Sequence, residues 1–329
     1  MKKIKLAIVG ATGLVGRTVL KVLDEKKLPI ETLGLFATSK SAGTELEVLN
    51  KKYIVEELTE NSFDQGFDYA IFSAGAAVAA KYAPIAASKG CIVIDNSSNF
   101  RMDKDVPLVV PEVNFEDALK NNGIIANPNC STIQAMLPLK AINDKYPIKR
   151  IVYSTYQAVS GAGKKALDDL SNQTGENLKK FKYPIYNNCL PQIDVFLDNG
   201  YTKEEMKMIN ETRKILHLPS LKVTATTVRV PIENSHSESI NIELFADFKL
   251  EDIVKTLKEF PNIVVIDDIN EEKYPMAIEA TGHDEVYVGR IRRDDSVPYG
   301  INLWVVADNI RKGAASNAVQ ILERLIKEK

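Results

Sequence analysis

The stretch Ile4-Lys5-Leu6-Ala7-Ile8-Val9-Gly10-Ala11-Thr12-Gly13-Leu14-Val15-Gly16 reads as a strand, a tight turn and the start of a helix. The first six residues are apolar and rich in branched side chains, apart from Lys5. Gly10 ends the run, and Leu14, Val15, Val19, Val22 and Leu23 then recur at helical spacing. The glycines follow G-x-x-G-x-x-G, not the commoner G-x-G-x-x-G, so their placement at a strand-to-helix junction carries more than their spacing. Glycine lets the backbone approach a pyrophosphate, and a helix N-terminus offers N–H groups and a partial positive charge. A dinucleotide site built on Gly10, Thr12, Gly13, Leu14, Val15 and Gly16 is therefore expected. The alternative is a glycine turn that only packs strand against helix.

Outward from this unit the same alternation continues. Strands are expected at Thr32–Ala37, Tyr69–Ser73 and Ile92–Asp95, with an alanine-rich helix over Ala76–Ser88. Strands alternating with helices predict an α/β fold, a Rossmann-type doubly wound parallel sheet. NAD binders usually carry an acid at the end of the second strand. Here that end reads Ala37-Thr38-Ser39-Lys40-Ser41-Ala42-Gly43, with hydroxyls and a lysine and no acid. Those groups suit a 2′-phosphate, so NADP is the expected cofactor. An ordinary polar loop is the competing reading.

Near residue 130 the pattern changes. Ile133, Met136, Leu137 and Ile142 mark a helix, and longer β-like stretches follow at Arg150–Ala158, Val223–Val230, Ser239–Phe245, Glu285–Arg292 and Ile301–Val306. They predict a second α+β domain over 130–307. Arg311–Ile326 reads as one amphipathic helix, so that a segment from about 308 to 329 completes the first domain, 1–129. A length of 329 residues suits two domains. Apolar residues at 45% and a net charge of -2 fit a globular chain without a bias toward nucleic acid or an anionic membrane. Lys2-Lys3 and Lys179-Lys180 are expected as solvated surface pairs. Met1-Lys2-Lys3 and the run after it superficially resemble a signal peptide, but Gly10 and Gly13 break the run and Arg17 follows without a small-residue cleavage site. Ala70–Ala87 contains Lys81 and Pro84 and is not read as a membrane span. No metal site is expected. Three cysteines give no disulfide framework and fit a reducing cytoplasm.

Asn127-Pro128-Asn129-Cys130-Ser131-Thr132 precedes the helix near Ile133. Asn129 is a plausible N-cap, which puts Cys130 in the first turn, where the helix field favours a nucleophilic thiolate. Cys91 opens the apolar strand Cys91-Ile92-Val93-Ile94-Asp95 and belongs to the core. Cys189 has no interpretable context. Of the histidines, His217 reads as a helix end and His283 as a loop residue. His236 lies in a polar turn between two strands, where an imidazole can titrate near neutrality and move protons.

Together these blocks resemble the aspartate-β-semialdehyde dehydrogenase family over nearly the whole length. The matching blocks are Gly10 to Gly16, Asn96-Ser97-Ser98-Asn99-Phe100-Arg101, Val110 to Asn114, Asn127 to Thr132, Thr155 to Gly163, Glu211-Thr212-Arg213-Lys214, Arg229 to Glu238, and Asp308 to Ala315. The resemblance implies Cys130 as nucleophile, His236 as acid and base, and Gln157 as the residue orienting the acyl group. It implies Arg229 for the substrate α-carboxylate, Glu211 for the amino group, and Arg101, Lys214 and Asn129 for phosphate. Gly10, Thr12, Gly13 to Gly16, Thr38, Lys40, Ser41, Ala42, Ser160, Gly161 and Asn309 would line the NADP site. Many similar proteins carry arginine where this chain has Lys40, which puts strict NADP selectivity in doubt. The implied reaction takes L-4-aspartyl phosphate to aspartate semialdehyde and phosphate through a Cys130 thioester, feeding lysine, methionine and threonine synthesis, in a homodimer or homotetramer. N-acetyl-γ-glutamyl-phosphate reductase is the nearest alternative. A non-catalytic NADP-binding sensor on the same fold is the alternative from another class.

Overall fold

The computed structural model describes residues 3–328, so Met1 and Lys2 of the N-terminal reading lie outside it. The chain divides into two compact units, one running to Asn129 and resuming at Ala314, the other spanning Cys130–Gly313.

The first unit contains β1 (Ile4–Val9), α1 (Leu14–Lys26), β2 (Ile30–Ala37), the hairpin β3 (Glu45–Val48) and β4 (Lys51–Ile54), β5 (Glu56–Glu57), β6 (Tyr69–Phe72), α2 (Ala76–Ser88), β7 (Ile92–Asp95), α3 (Pro111–Ala118) and β8 (Ile124–Ala126). Its main sheet has the order β5-β2-β1-β6-β7-β8. Every neighbouring pair in it is parallel. The strands are apolar on both sides because both faces are covered. Leu6 and Ile8 pack with Val19 and Leu23 of α1 and with Ala318 and Leu322 of the C-terminal helix. Ala7 and Val9 face the other way, toward Phe72 and Ala79 and Ala83 of α2. Each such Val, Leu or Ile contributes roughly 1.5–3 kcal/mol by leaving water. The order reverses between β1 and β6, and at such a switch point the strand ends open a crevice.

The second unit contains α4 (Cys130–Asn143), β9 (Ile148–Gln157), α5 (Lys164–Ser171), α6 (Lys203–Ile215), β10 (Lys222–Arg229), β11 (His236–Leu244), α7 (Leu250–Glu259), β12 (Ile263–Val265), α8 (Ala277–Ala280), β13 (Val286–Asp294) and β14 (Gly300–Ala307). They form a mixed sheet, β10-β9-β11-β14-β13-β12. Side chains alternate across it as a period of two requires. Ile151, Tyr153, Thr155 and Gln157 of β9 are buried, whereas Val152, Ser154 and Tyr156 are partly or largely exposed. The inner face is covered by α4, α6 and α7.

Two expectations are corrected. Strand β11 begins at His236, three residues before the expected Ser239, because the left-handed backbone of Ser235 (φ 70°) completes the turn there. The C-terminal segment is not one α-helix. Arg311–Ala315 is a π-helical turn, and α9 (Ser316–Lys327) follows it. The chain rejoins the first unit at Ala314, later than position 308, because its preceding residues are bonded into the second unit. Gly282 N–H donates to Asp308 and Arg311 Nε to Asp284.

Candidate active site

Register places three polar residues in a row across one end of the second sheet. Arg229 ends β10 opposite Gln157, which ends β9. His236 opens the antiparallel β11, whose next residue, Ser237, pairs with Tyr156. All three point to the inner, buried face. Helix α4 packs on that face with Cys130 as its first residue, and Cys130 Sγ lies 3.3 Å from His236 Nε2.

The imidazole is held in one form. Ala158 N–H donates to Nδ1 at 3.0 Å, which leaves the ring proton on Nε2, facing the sulfur. Burial and the nearby Arg229 guanidinium hold His236 well below its usual value of 6.5. The expectation of a turn histidine titrating near neutrality is therefore corrected: His236 is fully buried on a strand and neutral. A neutral Nε2–H beside sulfur stabilises a thiolate by donating to it. Cys91 is the contrasting case. Burial, with the charge of Asp68, pushes its thiol up to about 12, which makes it inert. Cys189 is exposed.

Arg229 is buried and donates from Nη1 to Ala158 O at 2.7 Å. Its Nε finds no hydrogen-bond partner among the described residues. Such a donor inside a protein suits an incoming carboxylate. Burial lowers its pKa, while the charges of Glu204 and Cys130 act against that. Gln157 donates from Nε2 to Thr155 Oγ1 and to Glu204 Oε1, both at 3.2 Å. Glu204 also accepts from Lys207 at 3.1 Å. Glu204, Lys207, Glu211 and Lys214 recur at three- and four-residue spacing along α6 and form one stripe. Glu204 and Lys207 went unremarked in the sequence. Their signal was the capping box of Thr202 and Glu205, which fixes where α6 starts and hence which stripe faces the sheet. Glu238, named only as the end of the block from Arg229, was given no role of its own. It is fully buried two residues beyond His236 on the same face, and neither carboxyl oxygen has a hydrogen-bond partner among the described residues. Burial, with the charge of Glu204, raises its pKa well above 4.5, which favours the protonated, neutral form.

In the first unit, a crevice of about 500 Å³ opens at the β1/β6 switch, lined by Gly10, Thr12, Gly13 and Thr38 among the expected residues. Ser73, Tyr82 and Glu57 also line it and were not anticipated. Glu57 sits on β5 beside Ala37, so an acid absent from the end of β2 is supplied by the neighbouring strand. The glycines are sterically required. A Cβ on Gly16 would stand 2.1 Å from Gly10 O, and one on Gly10 would stand 2.8 Å from the Ser73 carbonyl. These residues therefore make a cradle that a dinucleotide fits. Val15 packs instead against the apolar core. Lys40 and Ser41 lie in a 3-10 turn, Ser39–Ser41, that follows Thr38, with Ala42 after it. Leu14 is partly exposed at the start of α1.

The other expected site residues fall as follows. Arg101 and Asn129 are buried in the first unit. Arg101 donates from Nε to Asn127 O at 3.0 Å and from Nη2 to Asn96 O at 2.9 Å. Ser160 and Asn309 bond to each other in the second unit, and Asn309 Oδ1 also accepts from Ser235 N–H at 2.9 Å. Gly161 lies against the His236 ring, which a Cβ there would approach to 3.3 Å.

Residues 5–121 match the family described as "Semialdehyde dehydrogenase, NAD binding domain", and residues 139–312 match "Semialdehyde dehydrogenase, dimerisation domain". The aspartate-semialdehyde dehydrogenase of Aquifex aeolicus is 55% identical over 98% of this chain and 98% of its own. The chain belongs to the aspartate-semialdehyde dehydrogenase family. The Bacillus subtilis aspartate-semialdehyde dehydrogenase is 49% identical, covering 98% of this chain and 97% of its own. The crystal structure of aspartate semialdehyde dehydrogenase II from Vibrio cholerae superposes with a TM-score of 0.95 at 47% identity, over 99% of both chains, and was also solved complexed with ASA. A Candida albicans aspartate semialdehyde dehydrogenase with NADP superposes with a TM-score of 0.77 at 26% identity, over 98% of both chains. As an aspartate-semialdehyde dehydrogenase family member the chain is an oxidoreductase, with a nicotinamide-cofactor domain and an α+β dimerisation domain. Among the described residues, no helix is long and apolar enough to cross a membrane.

Proposed function

We propose that the chain catalyses NADPH-dependent reductive dephosphorylation of L-4-aspartyl phosphate to L-aspartate 4-semialdehyde and phosphate, through a thioester on Cys130. The observation that carries this reading is the 3.3 Å contact between Cys130 Sγ and His236 Nε2, with Nδ1 held by the Ala158 N–H. His236 donates its Nε2 proton toward the sulfur and so sustains the thiolate. The thiolate attacks the acyl carbon, the C–S bond forms, and the C–O bond to phosphate breaks. When bound, the nicotinamide supplies the hydride that reduces the thioester. The oxygen of the thioester gains charge as the hydride adds, and His236 Nε2–H stabilises it by donating a hydrogen bond to it. As the C=O bond of the aldehyde forms, the C–S bond breaks and the thiolate is restored, again held by the Nε2–H.

Arg229 would hold the substrate α-carboxylate, using the buried Nε that has no partner among the described residues. Gln157 would orient the acyl group and Glu211 bind the amino group. The roles of Arg101, Asn129 and Lys214 on phosphate, and of Ser160, Gly161 and Asn309 toward NADP, rest on the family motifs. Preference for NADP rests on Thr38, Lys40 and Ser41, with Glu57 acting against it. The enzyme would serve lysine, methionine, threonine and diaminopimelate synthesis in the cytoplasm, as a homodimer or homotetramer built through the second unit.

The test is phosphate-dependent reduction of NADP with aspartate semialdehyde, run beside NAD and beside N-acetylglutamate semialdehyde. Activity with the first aldehyde alone is expected. Activity with the second alone assigns the N-acetylglutamyl reaction, and no activity with either leaves only a binding protein.

A further inference from the structure

We propose that Gly313 and Gln134 are positioning residues that set the separation of the Cys130 thiol and the His236 imidazole. The proposal rests on the reading of those two residues as the reacting pair.

The segment 307–313 runs as a strut from one partner to the other. It starts at Ala307, the last residue of β14, which pairs with His236. Asp308 then fixes the exit from the strand. Its Oδ1 accepts from the N–H groups of Ile310 at 2.8 Å and Arg311 at 2.9 Å, and its Oδ2 accepts from Gly282 N–H at 2.8 Å. Asn309 reaches back and accepts from the N–H of Ser235, the residue before His236. Gly313 N–H donates to Asp308 O at 3.0 Å, a five-residue span that gives the wide π-helical turn. An α-helical turn would advance the chain differently. The π turn ends with Gly313 directly against the cysteine.

There is no room at that contact for a side chain. A Cβ on Gly313 would stand 2.8 Å from Cys130 Cβ, 3.2 Å from its Cα and 3.4 Å from its carbonyl oxygen. These are stiff atoms at the first residue of α4, not the far end of a flexible side chain, so either the cysteine or the strut must move. Gly313 does not have a positive φ, so alanine is admissible for the backbone and the effect of the substitution is steric.

A second tie runs from the helix itself. Gln134 lies four residues after Cys130 and so on the same face of α4. It is fully buried, and its Nε2 donates to the carbonyl oxygen of His236 at 3.2 Å and to Val305 O at 3.5 Å. The helix that carries the thiol is thereby bonded to the residue that carries the imidazole. The strut and the glutamine together constrain a pair for which a small displacement matters, because a hydrogen bond to sulfur weakens steeply with distance and angle.

The experiment measures alkylation of Cys130 by iodoacetamide against pH in a C189S background, with kcat and KM from the semialdehyde assay. The variants are Gly313→Ala and Gln134→Met. Both are expected to slow alkylation at neutral pH by about tenfold, to move its pH midpoint toward that of a free thiol, and to lower kcat in parallel with KM nearly unchanged. A wild-type alkylation profile and wild-type kcat in folded Gly313→Ala overturn the proposal. Should that variant not fold, the same result in Gln134→Met overturns it. Cys130→Ser separates the two readings: if it still turns over, the nucleophile assignment fails, while the alkylation profiles continue to decide the positioning role.

Discussion

His236 and Glu238 stand two residues apart on one strand face, both fully buried and both shifted toward their neutral forms, yet they bend stability with pH in opposite directions. For His236 the folded pKa lies below the unfolded value of 6.5. Its contribution is fully present above that value and is lost as pH falls, because only the unfolded chain then gains a proton. For Glu238 the folded pKa lies above the unfolded value of 4.5. Its contribution is present below 4.5 and is lost as pH rises, because the unfolded chain then releases a proton that the folded one keeps. Glu238→Gln replaces the neutral acid with an amide of the same shape and removes the second effect. The variant should be close to wild type in denaturant midpoint near pH 4.5 and gain on it steadily toward pH 8, by on the order of 1 kcal/mol or more. A constant gap between the two proteins across that range would refute the neutral-acid reading. Cysteine chemistry gives a second test at this scale. Alkylation at neutral pH should label Cys130 and exposed Cys189 and spare Cys91, read by peptide mapping. Cys130→Ala should abolish turnover, and His236→Ala should lower it by roughly 10²–10⁴-fold, both measured in the semialdehyde assay.

Elements were legible in the sequence wherever one physical pattern acted alone. The run Ile4–Val9 is apolar on both faces because helices cover both, and the glycines after it announce the turn. Helix α2 was legible at both ends. The start of β11 was not, because Glu233, Asn234 and Ser235 look like a continuing turn and only the pairing of His236 with Ala307 draws the histidine into the strand. The π turn before α9 was hidden for a related reason. Arg311 to Ile326 has the spacing of one helix, and nothing local shows that Gly313 must reach back to Asp308. Glu204 and Glu238 were missed because long-range burial, not local pattern, makes them unusual. At this scale the turn between α5 and the following loop is a clean test. Asp169 is buried, which pushes its pKa up, but N–H groups of Lys179, Lys180 and Phe181 more than offset this and hold it below the usual carboxylate value. Asp169→Ala should leave those three donors without that acceptor. The loop around 172–181 should then be cut faster by protease, while the pH 7 activity of intact enzyme changes little.

At the scale of the molecule, cofactor preference follows from which charges the crevice of the first unit presents. Thr38 and Glu57 both line it, and exposed Lys40 lies in the turn that follows Thr38. A lysine near a 2′-phosphate attracts it, and a carboxylate repels it, while a free 2′-hydroxyl is nearly indifferent to the first and can donate to the second. The two side chains therefore predict opposite shifts. Ligand that binds only folded protein raises its stability by RT ln(1 + [L]/Kd), about 2.7 kcal/mol at one hundred times Kd. Lys40→Ala should reduce the rise in Tm produced by NADP and leave that produced by NAD nearly unchanged. Glu57→Gln should enlarge the NADP effect and diminish the NAD effect. Cys130→Ala should retain both rises in full, because the cradle of Gly10, Gly13 and Gly16 lies in the other unit. Equal changes for the two cofactors in both crevice variants would mean that selectivity is set elsewhere. A loss of both rises in Cys130→Ala would mean that the cradle does not bind independently of the thiol.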